Sequence, residues 1–332
     1  MASSLYADVT GMDNILAVDV NTAHNASTAT AQITCEDMNV DLGDLIDVDL
    51  GYVGNHQSVF SGYVKQVERK VPEDIYMVTA KDKMVRALDY YFASSNPDTP
   101  FSRTNILAED LVRDVLAVAG LTSFTSDNTY FTFATGEINA DVNLVSAYDY
   151  ANGISDLLAY HLYCDYNGTV HFINRKAYPM TGSSGQPGDD NDETQAGDAS
   201  HTFVDGEILS IRYKFDERDL RNRVVVYGSD GIFAEASDSS PYLPSGFYKS
   251  AVLSSYIITG NAQDIADYNL DMLNRLTYEV DLETIGDPSL QARQILRLNQ
   301  SYITVANVNW YAYAVDHKWS RAGYINSMVL RR

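Results

Sequence analysis

The two ends of the chain carry the same strand signal, and that limits the folds open to it. Near the front, Leu45-Ile46-Asp47-Val48-Asp49-Leu50 is followed by Val59-Phe60-Ser61-Gly62-Tyr63-Val64-Lys65-Gln66-Val67-Glu68. A turn at Pro72-Glu73-Asp74 returns the chain as Ile75-Tyr76-Met77-Val78-Thr79-Ala80, before a short helical stretch over 83–91. Near the back, Trp310-Tyr311-Ala312-Tyr313-Ala314-Val315-Asp316-His317-Lys318 turns at 320–323 and returns over 324–330. Alternating apolar and polar residues place one face of each strand on a core and the other on water or a neighbour. Two such β-modules flanking a different middle suit a building block of an assembly, because no catalytic cluster accompanies them.

The middle carries helix signals. Over 107–120, Leu107, Leu111, Val115 and Leu116 recur at helical spacing, Ser102 or Thr104 precede as caps, and Gly120 ends the run. A second helix is predicted over 146–160. It passes into Leu162-Tyr163-Cys164-Asp165-Tyr166, an Asn167-Gly168 turn and Thr169-Val170-His171-Phe172-Ile173. Residues 181–200 are nearly devoid of apolar side chains and read as a surface loop. Its run Asp189-Asp190-Asn191-Asp192-Glu193 lacks the ligand alternation and central glycine of a calcium loop, so a solvated acid run is the stronger reading. A fourth helix is predicted over 262–276. The expected fold class is α+β and β-rich: a β-barrel domain over 1–95, an α+β domain over 96–200, and a second β-barrel with one helix over 201–332.

Three chemistries find little support. No Gly-x-Ser-x-Gly elbow occurs, and the six histidines are scattered. His317, at a strand end, is read as packed or hydrogen-bonded. His161 and His171 are read as a cross-strand pair with no third ligand. Cys35 and Cys164 lack metal spacing and read as buried free thiols. No phosphate-binding glycine motif is present. The expectation is therefore no catalytic residue, no metal and no cofactor. Arg212, Lys214, Arg218, Arg221 and Arg223 lie among Asp216, Glu217 and Asp219, which reads as a salt-bridged hairpin or a subunit contact. The 24 tyrosines, with Tyr63, Tyr76, Tyr311 and Tyr313 on the terminal strands, suit faces buried between protomers as well as an ordinary core.

With 23 Lys and Arg against 45 Asp and Glu, the formal net charge is −22, which disfavours binding nucleic acid through phosphate neutralisation. No apolar run reaches membrane-spanning length, and Met1 to Asp8 does not read as a secretory signal.

The segments Val59-Phe60-Ser61-Gly62-Tyr63-Val64 and Tyr76-Met77-Val78-Thr79-Ala80-Lys81-Asp82, the helix over 107–120 and the 165–172 hairpin occur in an order that covers nearly the whole chain. The helix over 262–276, Gly286-Asp287-Pro288-Ser289-Leu290, and Tyr313-Ala314-Val315-Asp316-His317-Lys318 complete it. The pattern resembles the tail hub proteins of tailed phages, the late control gene D product family, and the related hub part of type VI secretion spikes. The resemblance implies two tube-like barrels per subunit and a structural, non-enzymatic virion protein at the distal end of the tail. It implies a homotrimer meeting the tail tube ring, the tape measure protein and tip, spike or fibre proteins, with genomic DNA passing an acidic lumen unbound. One departure stands out: family members often follow the Gly-x-Pro segment with a further glycine turn, whereas Gln291-Ala292-Arg293-Gln294-Ile295 stands here, so the last strands are expected to pair differently. A cell-wall hydrolase and a carbohydrate-binding module remain the competing readings, separated from the hub by a peptidoglycan turbidity assay and by glycan binding.

Asp carries charge on little apolar stem, and an Asp-rich, Lys-poor surface suits high salt, where repulsion is screened. Salt adaptation and ordinary acidic solubility both fit. If the surface is salt-adapted, the unfolding midpoint rises between low and multimolar salt; equal midpoints rule that reading out.

Overall fold

The computed structural model describes residues 4–24, 26–92, 101–129, 132–137, 145–158, 160–174, 199–216, 220–228, 231–240, 243–254, 262–274, 277–299 and 308–331. The loop expected over 181–200 falls almost wholly outside these residues, as does Arg218.

The first module contains β1 (Leu5–Val9), β2 (Met12–Ala23), β3 (Thr30–Met38), β4 (Leu45–Tyr52), β5 (Asn55–Lys70) and β6 (Ile75–Asp82). They follow the order β1-β4-β5-β6-β3-β2, and β1 meets β2 again at Val9 and Met12, which closes the barrel. Val18, Val20, Ala31, Ile33, Ile46, Val48, Phe60 and Val78 fill it. Gly62 is required where β5 crosses β6: a Cβ there would collide with the Lys81 carbonyl and the Phe60 ring.

The middle domain runs through α1 (Val85–Asp89), β7 (Ser102–Leu107), α2 (Ala108–Val118), β8 (Phe124–Ser126), β9 (Thr132–Glu137), α3 (Ala147–Leu158), β10 (Tyr160–Cys164) and β11 (Val170–Asn174). Leu111, Val115 and Leu116 of α2 and Ala151 and Ile154 of α3 share a core with Tyr160 and Phe172. Ser146 caps α3 by accepting from the Asp149 amide at 3.0 Å while its hydroxyl donates to the Asp149 carboxylate at 2.8 Å.

The rest of the chain forms β12 (His201–Val204), β13 (Ile208–Asp216), β14 (Arg223–Tyr227), β15 (Phe233–Ser237), β16 (Ser250–Ser254), α4 (Ala262–Leu273), β17 (Thr277–Ile285), β18 (Ile295–Asn299), β19 (Val308–Ser320) and β20 (Gly323–Arg331). The helix expected over 262–276 does not pack on the second barrel's sheet. It covers a separate three-stranded sheet, β15-β14-β16, through Ile265 and Ala266 against Val224 and Val226. The second barrel is ordered β12-β18-β19-β20-β17-β13 around Leu282, Leu296, Trp310, Val315 and Met328.

The two barrels repeat one another strand for strand. In chain order, β1 to β6 correspond to β12, β13, β17, β18, β19 and β20, and the sheet order is then the same. The registers superimpose as well. Ala31 pairs with Val20 and Ala80, and Val280 with Tyr213 and Leu330. Each copy has an extra residue at matching points: Leu16 in β2 and Leu209 in β13, Lys65 in β5 and Tyr313 in β19. Two differences separate the copies. β1 runs antiparallel to β4 whereas β12 runs parallel to β18, and the β14–β16 layer with α4 is inserted between the second and third strands of the second copy only.

At 291–295 the chain pairs as the first copy does at the equivalent turn. Gly43 (φ +90°) and Arg293 (φ +75°) occupy the equivalent left-handed position. The Gly43 and Arg293 amides donate to the carbonyls of Val64 and Ala312, and those residues' amides donate back to Asp44 and Gln294. A non-glycine residue holds the bend because its side chain is anchored elsewhere, as described below.

His317 is packed and hydrogen-bonded, as expected of it. Its Nε2 donates to the Leu290 carbonyl at 2.9 Å, while Nδ1 accepts from Tyr324 at 2.6 Å and Asn326 at 2.9 Å. Complete burial pushes its pKa down to about 4. The unfolded imidazole takes up a proton near pH 6.5, whereas the folded one waits until about pH 4, so stability present above pH 6.5 is lost as pH falls through 4. Wild type is expected to lose up to about 3 kcal/mol over that window relative to His317→Gln, read from denaturant unfolding at each pH. Parallel pH profiles for the two proteins would contradict this.

Candidate assembly surface

One strand welds the copies together. The first part of β19, through Leu298↔Val308 and Ile295↔Tyr311, pairs with β18. The later part of the same edge pairs antiparallel with β2, from Ala314↔Ala23 through Asp316↔Asn21 and Lys318↔Asp19 to Ser320↔Ala17. The Asn21 amide donates to Asp316, and the Thr22 hydroxyl to the Val315 carbonyl at 3.0 Å. Trp319 and Tyr324, at the β19–β20 turn, enter the core of the first copy. The result is one sheet running β5-β6-β3-β2-β19-β20-β17-β13 across both copies. Its barrel face is apolar. Its open face mixes Asp19, Glu36, Glu68, Asp316, Glu279, Asp281 and Glu283 with Lys70, Lys81, Lys318, Arg212, Lys214 and Arg331.

Beneath the weld, the middle domain meets both copies at a buried guanidinium. Arg293 donates through Nη2 to the carbonyls of Ala23 at 3.2 Å and His24 at 3.0 Å, and lies 4.1 Å over the Tyr163 ring. His24 shares a 2.5 Å hydrogen bond with the Tyr311 hydroxyl, stacks on Tyr313 and meets His161 edge-on. Asp82, also buried, accepts from the amides of Ala29 at 2.6 Å and Met84 at 3.0 Å. Burial pushes its pKa up to about 7; those amides and Arg293 hold it from rising further. Burial also pulls the Arg293 pKa down and pushes the Cys35 thiol up to about 11. Asp82 is buried and Arg293 largely so, and between them they tie the middle domain to both copies as a structural keystone.

Several sequence-predicted residues fall elsewhere than expected. His161 and His171 are not opposite one another: His161 pairs with Ile173 and His171 with Tyr163. Asp165 caps the turn by accepting from the Asn167 and Thr169 amides and bonds His171 at 3.0 Å, and the strands pair from Cys164↔Val170 onward. Arg212, Lys214 and Arg223 do not form one hairpin. Arg212 and Lys214 lie on β13 and bind Asp281 and Glu279 of β17, whereas Arg223 lies on β14 and binds Glu235 of β15. Cys35 and Cys164 are free thiols, the first buried and the second half-buried. Tyr63, Tyr76 and Tyr313 each lie under an arginine of the same chain, Arg86, Arg69 and Arg331, and Tyr311 is buried. The departure at 291–295 marked this turn, but nothing local singled out Arg293, since a buried cation in a left-handed turn has no local signature. Among the described residues, no group of three or more His, Cys, Asp or Glu side chains could hold a metal, and no helix is long and apolar enough to cross a membrane.

Comparison with solved structures places this fold among tail proteins. The tail protein from Neisseria meningitidis MC58 superimposes with a TM-score of 0.71 at 11% identity, covering 99% of this chain and 97% of that one. The 43 kDa tail protein of prophage MuSo2 from Shewanella oneidensis gives 0.70 at 11% identity, over 99% and 98%. The E. coli c3393 protein, a component of the type VI secretion system similar to T4 bacteriophage tail proteins, gives 0.53 at 9% identity, over 98% and 76%. No family model and no curated protein matches the sequence. The chain has the β-rich α+β fold of phage tail proteins, with two tube-like barrels flanking a small α+β domain.

Arg293→Gly relieves the left-handed strain, worth about 1–2 kcal/mol. It also deletes two charge-assisted hydrogen bonds worth about 1.5–3 kcal/mol each. A net loss of about 1–5 kcal/mol is expected in denaturant unfolding, and an unchanged midpoint would remove Arg293 from the keystone.

Proposed function

We propose that this chain is a structural virion protein, a homotrimeric tail hub that adapts a hexameric tail tube to the distal tip or spike. The observation that carries this reading is the duplicated six-strand module held in one sheet. Three chains supply six modules of one sheet order, which lets a threefold object meet a sixfold one. The fold shared with the Neisseria and Shewanella tail proteins supports it, and their higher TM-scores favour a tail over a secretion spike. The division into domains at 1–95, 96–200 and 201–332 belongs to the same reading, with the β14–β16 layer and α4 as an insertion in the last. So do its partners: the tube ring, the tape measure protein and a tip, spike or fibre protein.

In this arrangement the open face of the long sheet lines the conduit for the genome. Its acids and bases neutralise one another through pairs such as Arg331 with Glu279 at 3.0 Å and Lys214 with Glu279 at 2.8 Å. Such a wall offers phosphates no cationic track, so DNA slides without being held.

Light scattering or mass photometry on the purified protein is expected to give three times the 36.8 kDa chain mass, with a central pore in electron micrographs. A monomer at every concentration that lysed peptidoglycan would overturn the hub in favour of a hydrolase.

A further inference from the structure

The repeat determines which edges of the monomer meet, and in what register. In the weld within one chain, the second strand of copy one (β2) lies on the later half of the fifth strand of copy two (β19). The equivalent elements are the second strand of copy two, β13, and the later half of the fifth strand of copy one, β5. β13 ends the sheet path, and β5 beyond Val64 is the matching position, since β4 pairs only with its 55–63 part. Among the described residues, neither edge has a strand against it. We infer that β13 of one chain pairs antiparallel with residues 66–70 of β5 in a second copy, repeating between chains the weld made within each. The inference rests on the trimeric hub reading and adds the strands, their direction and their register.

Matching the bulges transposes the pairs. Ala314↔Ala23 becomes Gln66↔Asp216, Asp316↔Asn21 becomes Glu68↔Lys214, and Lys318↔Asp19 becomes Lys70↔Arg212. Glu68 is exposed and would meet the Lys214 ammonium from across the seam. Arg212, opposite Lys70, already carries Asp281 as its counter-ion. Oppositely charged pairs facing each other favour a register, and an uncompensated like pair opposes it.

Two further observations fit this occupant. Trp319, which follows Lys318 in the weld, is buried in the other copy's core, whereas its counterpart Val71, which follows Lys70, is 74% exposed. The bulge residue Leu16 is half-buried near the weld, whereas its counterpart Leu209 is 57% exposed. Both apolar residues lie where a neighbouring copy would cover them. In the weld, the end of β2 and His24 sit against Arg293, Tyr311 and Tyr313. The equivalent site on copy one is an open cleft of about 370 Å³, lined by Gly43, Tyr63, Lys65 and Arg86. Gly43, Tyr63 and Lys65 are the counterparts of Arg293, Tyr311 and Tyr313, so the end of the neighbour's β13 has a vacant seat.

The double variant Glu68→Cys with Lys214→Cys, treated with a short bis-thiosulfonate, is expected to give a covalent trimer on a non-reducing gel; either single variant alone gives none. Because Lys214 also holds Glu279, a second pair, Gln66→Cys with Asp216→Cys, repeats the test without disturbing that contact. Light scattering on the same samples separates the two levels of the argument. Trimers in solution that neither pair links would overturn the β5–β13 seam while leaving the trimeric hub standing. Monomers at every concentration would overturn the hub and the seam together. Linked trimers from both pairs support the seam and its register.

Discussion

The pairing of β19 with β2 is the constraint on which the architecture depends. It pairs β2, an early strand of the first barrel, with β19, a late strand of the second. It turns two separate barrels into one sheet, places Trp319 and Tyr324 of the second copy inside the first, and brings the turn carrying Arg293 to the carbonyls of Ala23 and His24. The middle domain is then fixed by Tyr163 beneath that guanidinium. A register slip of one residue at this weld would turn Trp319 away from the core and expose it to water.

The barrel scaffold was legible because a strand buried on one face must alternate. Alternation alone puts Val48, Phe60, Val64, Val78, Ala80 and Val315 on the core side, and helical spacing marks the helices over 107–120 and 262–276. Register was not legible. Equivalent positions in the two copies share almost nothing but the side they face: Gly43 corresponds to Arg293, Gly62 to Trp310, Ala31 to Val280. A sheet asks only for the right parity and volume, so the repeat is preserved in hydrogen bonds while the letters diverge. The bulges at Leu16, Leu209, Lys65 and Tyr313 also hide in sequence, because an extra residue breaks the alternation where it must be followed.

The failed expectations have a common origin: proximity in sequence was taken for proximity in space. Arg212 and Arg223 look like one basic cluster, yet β13 and β14 belong to different sheets and their acids come from β17 and β15. His161 and His171 share one hairpin, yet its register sets them opposite Ile173 and Tyr163 and not opposite each other. A net charge of −22 describes the whole chain, whereas the open face of the long sheet balances acids against bases strand by strand.

The reversed strand β12 and the inserted layer with α4 spoil the duplication in one copy only. In a ring of three such chains, the continuous sheet would look nearly alike every sixty degrees, but the periphery would look alike only every hundred and twenty. A component docking from the sheet's axis would find six near-identical berths; one docking on the outside would find three. The imperfection in the repeat would thus let a single chain speak to partners of two different symmetries.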